Sequence, residues 1–471
     1  MNTFIITLSS QPVFKNFFLF PGSFWEKLGA LCAADKEKSF RAVLVMPDYY
    51  KEKYGPWCAS MIRRFPEQIF IDYVSVPAPQ GIVARLFRFF YSYLIYTSTT
   101  RLLATMGTRP DEMFAGSRYL APMKAAIAET FGRSSFITQK AVPALFDYLF
   151  PAEPFSDVLH TYHPDLVFVP NLYGWFDTVC ARDAKAHGIK TVGMTANWDH
   201  IDKYFMPVRT DLFFAQNNHI RDAAVRLQGY RPAEIMVIGY PHFDFINSKE
   251  YLIPRSALLS SIGFPRDTKY LLYISGSVYC PDEPDVIEEV LRWIDEGRFL
   301  PHDVRLVIRP YLGGRLRDRD FDIKKFEGFK THPRVVFYQR ESWHDLPGTR
   351  ELLNLMAHAD VVLSAFSTAA LEVALFDRPL IAIGFDGHRA RPFHRSVRRF
   401  EGFTHFQDVY ATGGIRVTRT FDDLYAAIKK YLDNPSLDRD GRALMRRTMC
   451  PVRSRSTAEE IIELLLKNCQ V

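Results

Sequence analysis

The chain has 471 residues, nearly half of them apolar, with 39 Phe and 23 Tyr; this suits two domains of about 200 residues and excludes a disordered polymer. Its 59 Lys and Arg exceed its 53 Asp and Glu only slightly, and the surplus is spread along the chain. That excludes a nucleic-acid binder with a concentrated basic face and fits phosphorylated ligands or an anionic membrane surface.

Cys32, Cys58, Cys180, Cys280, Cys450 and Cys469 are scattered, with neither zinc-site nor disulfide-framework spacing, so a cytoplasmic setting is expected. The opening MNTFIITLSSQ lacks a basic leader and a signal-length apolar core, and reads as a first β-strand. Further on, the Phe/Tyr-rich run from Phe89 to Thr100 lies between Arg88 and Arg101 and is too short for a membrane span of roughly 20 residues. With Arg85, Arg88 and Arg101 around it, this segment suits a peripheral contact with the inner face of the plasma membrane. Residues 80–150 read as a helical insertion in the first domain.

From Pro164 the pattern becomes regular. PDLVFVP is a buried strand, a helical stretch follows, His187-Gly188 stops it, and KTVGM is the next strand. TDLFFAQNNHIRDAAVRLQGYRPAEIMVIGYP and ADVVLSAFSTAALEVALFDRPLIAIGF repeat the scheme. Continuous apolar strands alternating with helices predict parallel sheets covered on both faces, hence an α/β protein of two Rossmann-type domains. The rhythm breaks over 246–266. The expected domains are therefore 1–250, 266–452, and a C-terminal helix at 453–471 packing back on the other domain.

In open parallel sheets, ligands bind beyond the carboxyl ends of the strands. After DVVL stand Ser364, Ser367 and Thr368, followed by a helix carrying Glu372. A helix start offers unpaired N–H groups to a phosphate, hydroxyls add donors, and a carboxylate one turn later can accept from ribose; a plain N-cap and a solvated Glu372 are the alternative. Ser275, Gly276 and Ser277 end another strand, where small residues let a phosphate approach. Arg309 ends VRLVIR and would neutralise a departing diphosphate, and Tyr338 is a candidate to stack on the base. After KTVGMTANW, either Asp199 or His200 could take a proton from an acceptor hydroxyl, with Lys203 near a phosphate. His242 and Asp244 of GYPHFD would shape the hinge or line the cleft. The DRDFD run at 318–322 lacks a strand to present it, and Ile323 stands where a calcium loop needs glycine, so no metal site is expected. The basic run HRARPFHRSVRR at 388–399 reads as a solvated loop, a lid over phosphates or a lipid contact.

Several of these segments carry a resemblance. SAFSTAALEVALFDRPLIAI resembles the nucleotide-binding signature of GT-B glycosyltransferases and of the related CDP-glycerol glycerophosphotransferases and surface-carbohydrate transferases. IMVIGYPHFDFI is similar to their segment closing the first domain, NWDHIDKYFMPVRTDLFFAQN to a Trp-Asp-Asn segment, and HFQDVYATGGIRVTRTFDDLYAAIKKYLDNP to a late strand-helix stretch. The resemblance runs from about Leu166 to the C-terminus. It implies two Rossmann-type domains facing across a cleft, the first holding the acceptor and the second the donor. It also implies transfer of a sugar or polyol phosphate from a nucleotide-activated donor to a cell-surface glycan or lipid-linked acceptor, with no further cofactor and no nucleic-acid partner. Ser364 stands eight residues before Glu372, where retaining members often carry a second Glu, which favours inversion; Arg309-Pro310 replaces a basic-His-Pro element, and His200 closes the Trp-Asp-Asn triplet. A nucleotide-sugar 2-epimerase, a silent scaffold in polysaccharide assembly and a periplasmic binding protein are the competing readings.

Overall fold

The computed structural model describes residues 1–106, 120–151, 153–311, 316–338, 345–451 and 453–469, with the side chains of 103–106 and 316–318 excepted. The chain forms two compact units. One comprises Met1–Thr100, Pro122–Phe245 and Pro451–Val471, the other Arg101–Ala121 and Ile246–Cys450.

Strands β1 (Asn2–Thr7), β2 (Phe40–Pro47), β3 (Ile69–Val74), β4 (Leu166–Val169), β5 (Lys190–Met194), β6 (Leu212–Ala215) and β7 (Ile235–Val237) make the first sheet. Their order is 3-2-1-4-5-6-7, all parallel, with Ile5 paired to Val43 on one side and Val167 on the other. The second sheet contains β8 (Lys269–Ile274), β9 (Val304–Arg309), β10 (Val335–Phe337), β11 (Val361–Ser364), β12 (Leu380–Ile383) and β13 (Ile415–Thr418) in the parallel order 10-9-8-11-12-13. Each sheet therefore reverses its strand order once, between β1 and β4 and between β8 and β11, which is where such sheets open a crevice at their carboxyl edge.

Apolar strands such as LVFV and VVLS are buried on both faces because helices cover both. In the second unit Leu271, Leu306, Leu363 and Ile381 of the sheet pack with Val290 and Trp293 of the helix Glu283–Asp295 and with Leu424 and Ile428 of the helix Phe421–Asp433. Between β3 and β4 the described residues are largely helical, including Ile82–Ser92, Ser98–Met106, Ala121–Ala126, Val142–Leu149 and Ser156–Tyr162. Among the described residues no helix is long and apolar enough to cross a membrane.

Two boundaries differ from the sequence reading, and a third, the return of the C-terminal helix to the first unit, agrees with it. Residues 251–265 are no connector: Leu258 and Leu259 of the helix Arg255–Ser261 are buried in the second unit, and Asn354 accepts from the Ile253 N–H and donates to the Tyr251 carbonyl. Arg101–Ala121 counts with the second unit rather than with the insertion, residues 107–119 of it lying outside the described residues. The final segment returns to the first unit from Pro451, and its helix Thr457–Cys469 packs on β1, β4 and the helix Phe24–Ala34.

Candidate functional site

At the carboxyl edge of the second sheet the turn after β8 is held from below by a buried ion cluster. Lys325, on the helix Leu316–Lys325, lies 2.6 Å from Glu283 Oε2 and 2.7 Å from Asp322 Oδ1, and it donates to the carbonyls of Ser277 and Cys280. Ser275 Oγ sits between the same two carboxylates, 3.0 Å from Glu283 and 2.7 Å from Asp322, and accepts from the Ser277 N–H. The Gly276 N–H donates to Glu283 at 2.8 Å. Burial raises the Glu283 pKa, and these two carboxylates hold the Lys325 ammonium above its ordinary value, so the cluster keeps its cation.

This corrects two expectations. The Ser275 hydroxyl is engaged downward in the cluster and leaves no donor to spare for a phosphate. Gly276 is small because a Cβ there would lie 2.5 Å from Cys280 Sγ and 3.4 Å from Ala365 Cβ, so it serves packing rather than the approach of a ligand. Ser277 is different. It has φ +57°, a left-handed conformation rare outside glycine, and its hydroxyl is buried at 1% exposure with no hydrogen-bond partner among the described residues. Strain and an unmet donor in one residue at the switch point are the marks of a ligand site.

Beside it, Arg309 ends β9 at 5% exposure. Burial pulls its pKa down to about 10, and the negative charge of Glu372 opposes that shift. Glu372 lies in the first turn of the helix Ala369–Leu375, half-buried; burial raises the Tyr251 phenol, and the charge of Glu372 adds to that shift. Ser367 Oγ accepts from the Ala369 N–H at 3.3 Å, while Thr368 is exposed and makes no side-chain cap. Ser364 is turned away into the sheet, its hydroxyl donating to the Ile274 carbonyl across β11 and β8. Tyr338 donates to Glu351 of the helix Leu346–His358, which fixes its ring at the edge of the sheet beside β10 rather than freeing it to follow a base. Of the expected set, Ser277, Arg309, Ser367, Thr368 and Glu372 thus remain at the carboxyl edge with chemistry available. Residues 312–315, which follow β9 and include part of VIRPYLGG, lie outside the described residues.

The basic run at 388–399 is solvated only in part: His388, Arg389, Pro392, Phe393 and Arg398 are exposed, whereas Arg391 and Arg399 are buried. Arg391 forms a two-pronged pair with Asp282, and Arg399 is fully buried against Phe400 with one N–H on the Ser396 carbonyl. Val397 and Phe400 cover Cys280 and Ala365, leaving beneath them a cavity of about 20 Å³, room for about one water. The DRDFD segment likewise has a structural use, since Asp322 completes the Lys325 cluster and accepts from the Tyr311 N–H.

In the first unit, Asp199, His200 and Lys203 follow β5 as expected, but their roles separate. Lys203 Nζ lies 2.8 Å from Asp199 Oδ2, so its charge is spent on that carboxylate and not on a phosphate. His200 Nε2 is 3.9 Å from Asp199 Oδ1 and 3.4 Å from the Asn197 side-chain nitrogen. Its ring stacks on Tyr173 with centroids 4.9 Å apart, and Tyr173 stacks in turn on Tyr204. Tyr173 and Tyr204 line a cavity of about 460 Å³ that the helix Ile82–Ser92 closes on another side. No motif in the sequence announced this cavity; the aromatic run that supplies one wall is the only trace of it.

His242 and Asp244 line no part of it. His242 is buried between Phe20 and Phe243, and Asp244 accepts from the N–H and hydroxyl of Thr457, capping the final helix. Gly239 of the same GYPHFD segment has φ +89°, and a Cβ there would lie 2.9 Å from Thr457 Oγ1. Tyr240 donates to the Ala196 carbonyl and accepts from Asn16, tying the ends of β5 and β7 to the helix after β1. Asp177, missed in the sequence, is fully buried at the β1/β4 switch point, accepting from Thr7 Oγ1 at 2.5 Å and from the Asn171 N–H at 3.3 Å. A second cavity of about 230 Å³, lined by Ser9, Asp48 and Asn171 among others, opens over it. A polar residue in the first turn of a helix that follows an apolar strand was the available signal.

No protein-family profile and no curated protein sequence matches the chain. Solved structures do match over nearly its whole length. A UDP-N-acetylglucosamine 2-epimerase described as putative, from Listeria monocytogenes, is 14% identical with a TM-score of 0.52, covering 99% of this chain and 96% of its own. The Neisseria meningitidis UDP-GlcNAc 2-epimerase bound to UDP-GlcNAc is 12% identical with a TM-score of 0.52, over 99% and 100%. A glycosyltransferase from Rickettsia africae is 8% identical with a TM-score of 0.50, over 99% and 98%. The chain has the GT-B fold. At these identities the likeness is one of architecture, and GT-B proteins of different chemistry share it.

Proposed function

We propose that this protein is a transferase that moves a sugar, or a polyol phosphate, from a nucleotide-activated donor to a cell-surface glycan or lipid-linked acceptor, with inversion and without a metal. The observation that carries the reading is the β8/β11 switch point, where the strained, unbonded Ser277 hydroxyl lies in the same carboxyl-edge region as the electrostatically coupled Arg309 and Glu372. There Ser277, Ser367 and Thr368 would donate to the diphosphate, Arg309 would balance its growing charge as it leaves, and Glu372 would accept from ribose. In the first unit His200 would take the proton of the acceptor hydroxyl as that oxygen bonds to the transferred group and the bond to the leaving nucleotide breaks; Asp199, held by Lys203, is the positioning residue. A membrane contact belongs to the same proposal: Ile82, Val83 and Leu86 are 75%, 59% and 63% exposed on the helix that carries Arg85 and Arg88.

A 2-epimerase reading needs free acid and base carboxylates beside the serine turn, and the two nearest, Glu283 and Asp322, are buried against Lys325. The test is calorimetry with UDP, GDP, CDP, CMP and their sugar or glycerol conjugates, on the native chain and on Glu372→Ala. Binding of one nucleotide family, weakened at least tenfold in the variant, is the expected result. No binding would return the serine turn to a structural role in a scaffold, and turnover of a free nucleotide sugar without acceptor would make the protein an epimerase.

A further inference from the structure

We propose that the 460 Å³ cavity of the first unit takes a sugar unit bearing a phosphate or carboxylate, so that the acceptor of the proposed transfer is an anionic glycan. The cavity is large enough for one or two sugar rings. Among the described residues its lining includes Arg85, Arg88, Tyr93, Tyr173, Trp175 and Tyr204, and no Asp or Glu. Neither Arg85 nor Arg88 has a carboxylate partner among the described residues, whereas many of the chain's other arginines do, Arg391 and Arg442 among them. Two guanidiniums without a carboxylate partner among the described residues favour an anion at the cavity, and their planar forks match carboxylate and phosphate alike.

The rest of the wall suits the same ligand. Burial raises the phenols of Tyr91, Tyr93, Tyr173 and Tyr204, which keeps their hydroxyls protonated and able to donate. The parallel rings of Tyr173 and Tyr204, 6.3 Å apart, and the edge-on Tyr93 give flat apolar faces of the kind on which a sugar ring lies. Behind Tyr93 the fully buried Lys124 ammonium stands 4.7 Å from its ring centroid, adding a second positive field from the insertion. His200 packs on the far face of this wall, which is what links the cavity to the acceptor side of the reaction. That link rests on the transferase reading; the charge preference of the cavity does not.

The experiment measures binding of glucose, glucuronate and glucose 1-phosphate to the full chain without nucleotide, by tryptophan fluorescence, with Trp175→Phe to show that the signal comes from this cavity. Glucuronate and glucose 1-phosphate should bind at least tenfold more tightly than glucose, with the difference shrinking as salt rises. In Arg85→Gln/Arg88→Gln, whose side chains are exposed and whose fold should persist by circular dichroism, the preference should fall at least tenfold while nucleotide binding is unchanged. Equal binding of the three sugars, binding of none, or a preference that survives the double variant would overturn the proposal. Phosphatidylglycerol vesicles form the second arm: if the double variant loses vesicle binding but keeps its preference among sugars, the arginines serve a lipid surface and the proposal fails. Loss of nucleotide binding by the native chain would refute the transferase reading and leave this result standing.

Discussion

Replacing Asp177 by Asn should stabilise the protein, by an amount that grows as pH rises from about 4 to 7 and is full above that. The carboxyl is fully enclosed at the β1/β4 switch point, and burial pushes it up to about 7 in spite of the bonds from Thr7, Ser9 and the Asn171 N–H. Its ordinary value is 3.8, so between pH 4 and 7 the folded chain holds a proton that the unfolded chain has released. Stability from this group therefore falls as pH rises through that window, and the cost is fully present above pH 7. A shift of about three pH units corresponds to about 4 kcal/mol. Asn is neutral at every pH, its carbonyl can still accept from Thr7, and its amide can donate to the Ser9 hydroxyl. Two melting curves are the assay. At pH 8.5 the variant should melt about 10 °C above the native chain, taking 2–4 °C per kcal/mol for a unit of this size; at pH 4.5, where about 1 kcal/mol of the cost remains, the gap should shrink to about 2–4 °C. A difference that is the same at both pH values, or a variant that melts lower at pH 8.5, would refute the reasoning.

Lys325→Met should destabilise the second unit by about 3–5 kcal/mol, since it strands Glu283 and Asp322 as buried charges, and adding Glu283→Gln and Asp322→Asn should restore most of the loss in urea melts. His200→Asn should cut kcat at least a hundredfold with KM for the acceptor changed less than threefold, and should abolish the acid limb of the pH–rate profile; an unchanged acid limb would give the base role to another group.

The sheets were legible because their strands are short, apolar on both faces and separated by helical stretches: LVFV, LFFA, VVLS and LIAI each appear where the pattern puts them. The unit boundary was blurred by the apparent break at SKEYLIPRSALLSSIGF. Its pattern is irregular because it is tied to the second unit by long-range side-chain bonds, from Asn354 to Tyr251 and Ile253 and from Arg255 to Asp360. Local periodicity carries no trace of such ties. The aromatic run near residue 90 suggested a surface segment, but not that Tyr93 would meet Tyr204, a partner more than a hundred residues away.

The candidate site shows the same limit at the scale of one turn. Ser275 and Ser277 are equivalent on the page, two hydroxyls after a buried strand. What divides them is Glu283 and Asp322, which capture the first hydroxyl and leave the second without a partner. Lys325 makes that division stable, because without it the two buried carboxylates under the turn would repel each other and one of them would take up a proton. Ser275, which looks like a ligand in sequence, is thus the anchor that positions Ser277. Buried cations explain part of the basic run in the same way: Arg391 and Arg399 fix the loop that covers Cys280 and Ala365, while the exposed Arg85 and Arg88 have no carboxylate partner among the described residues.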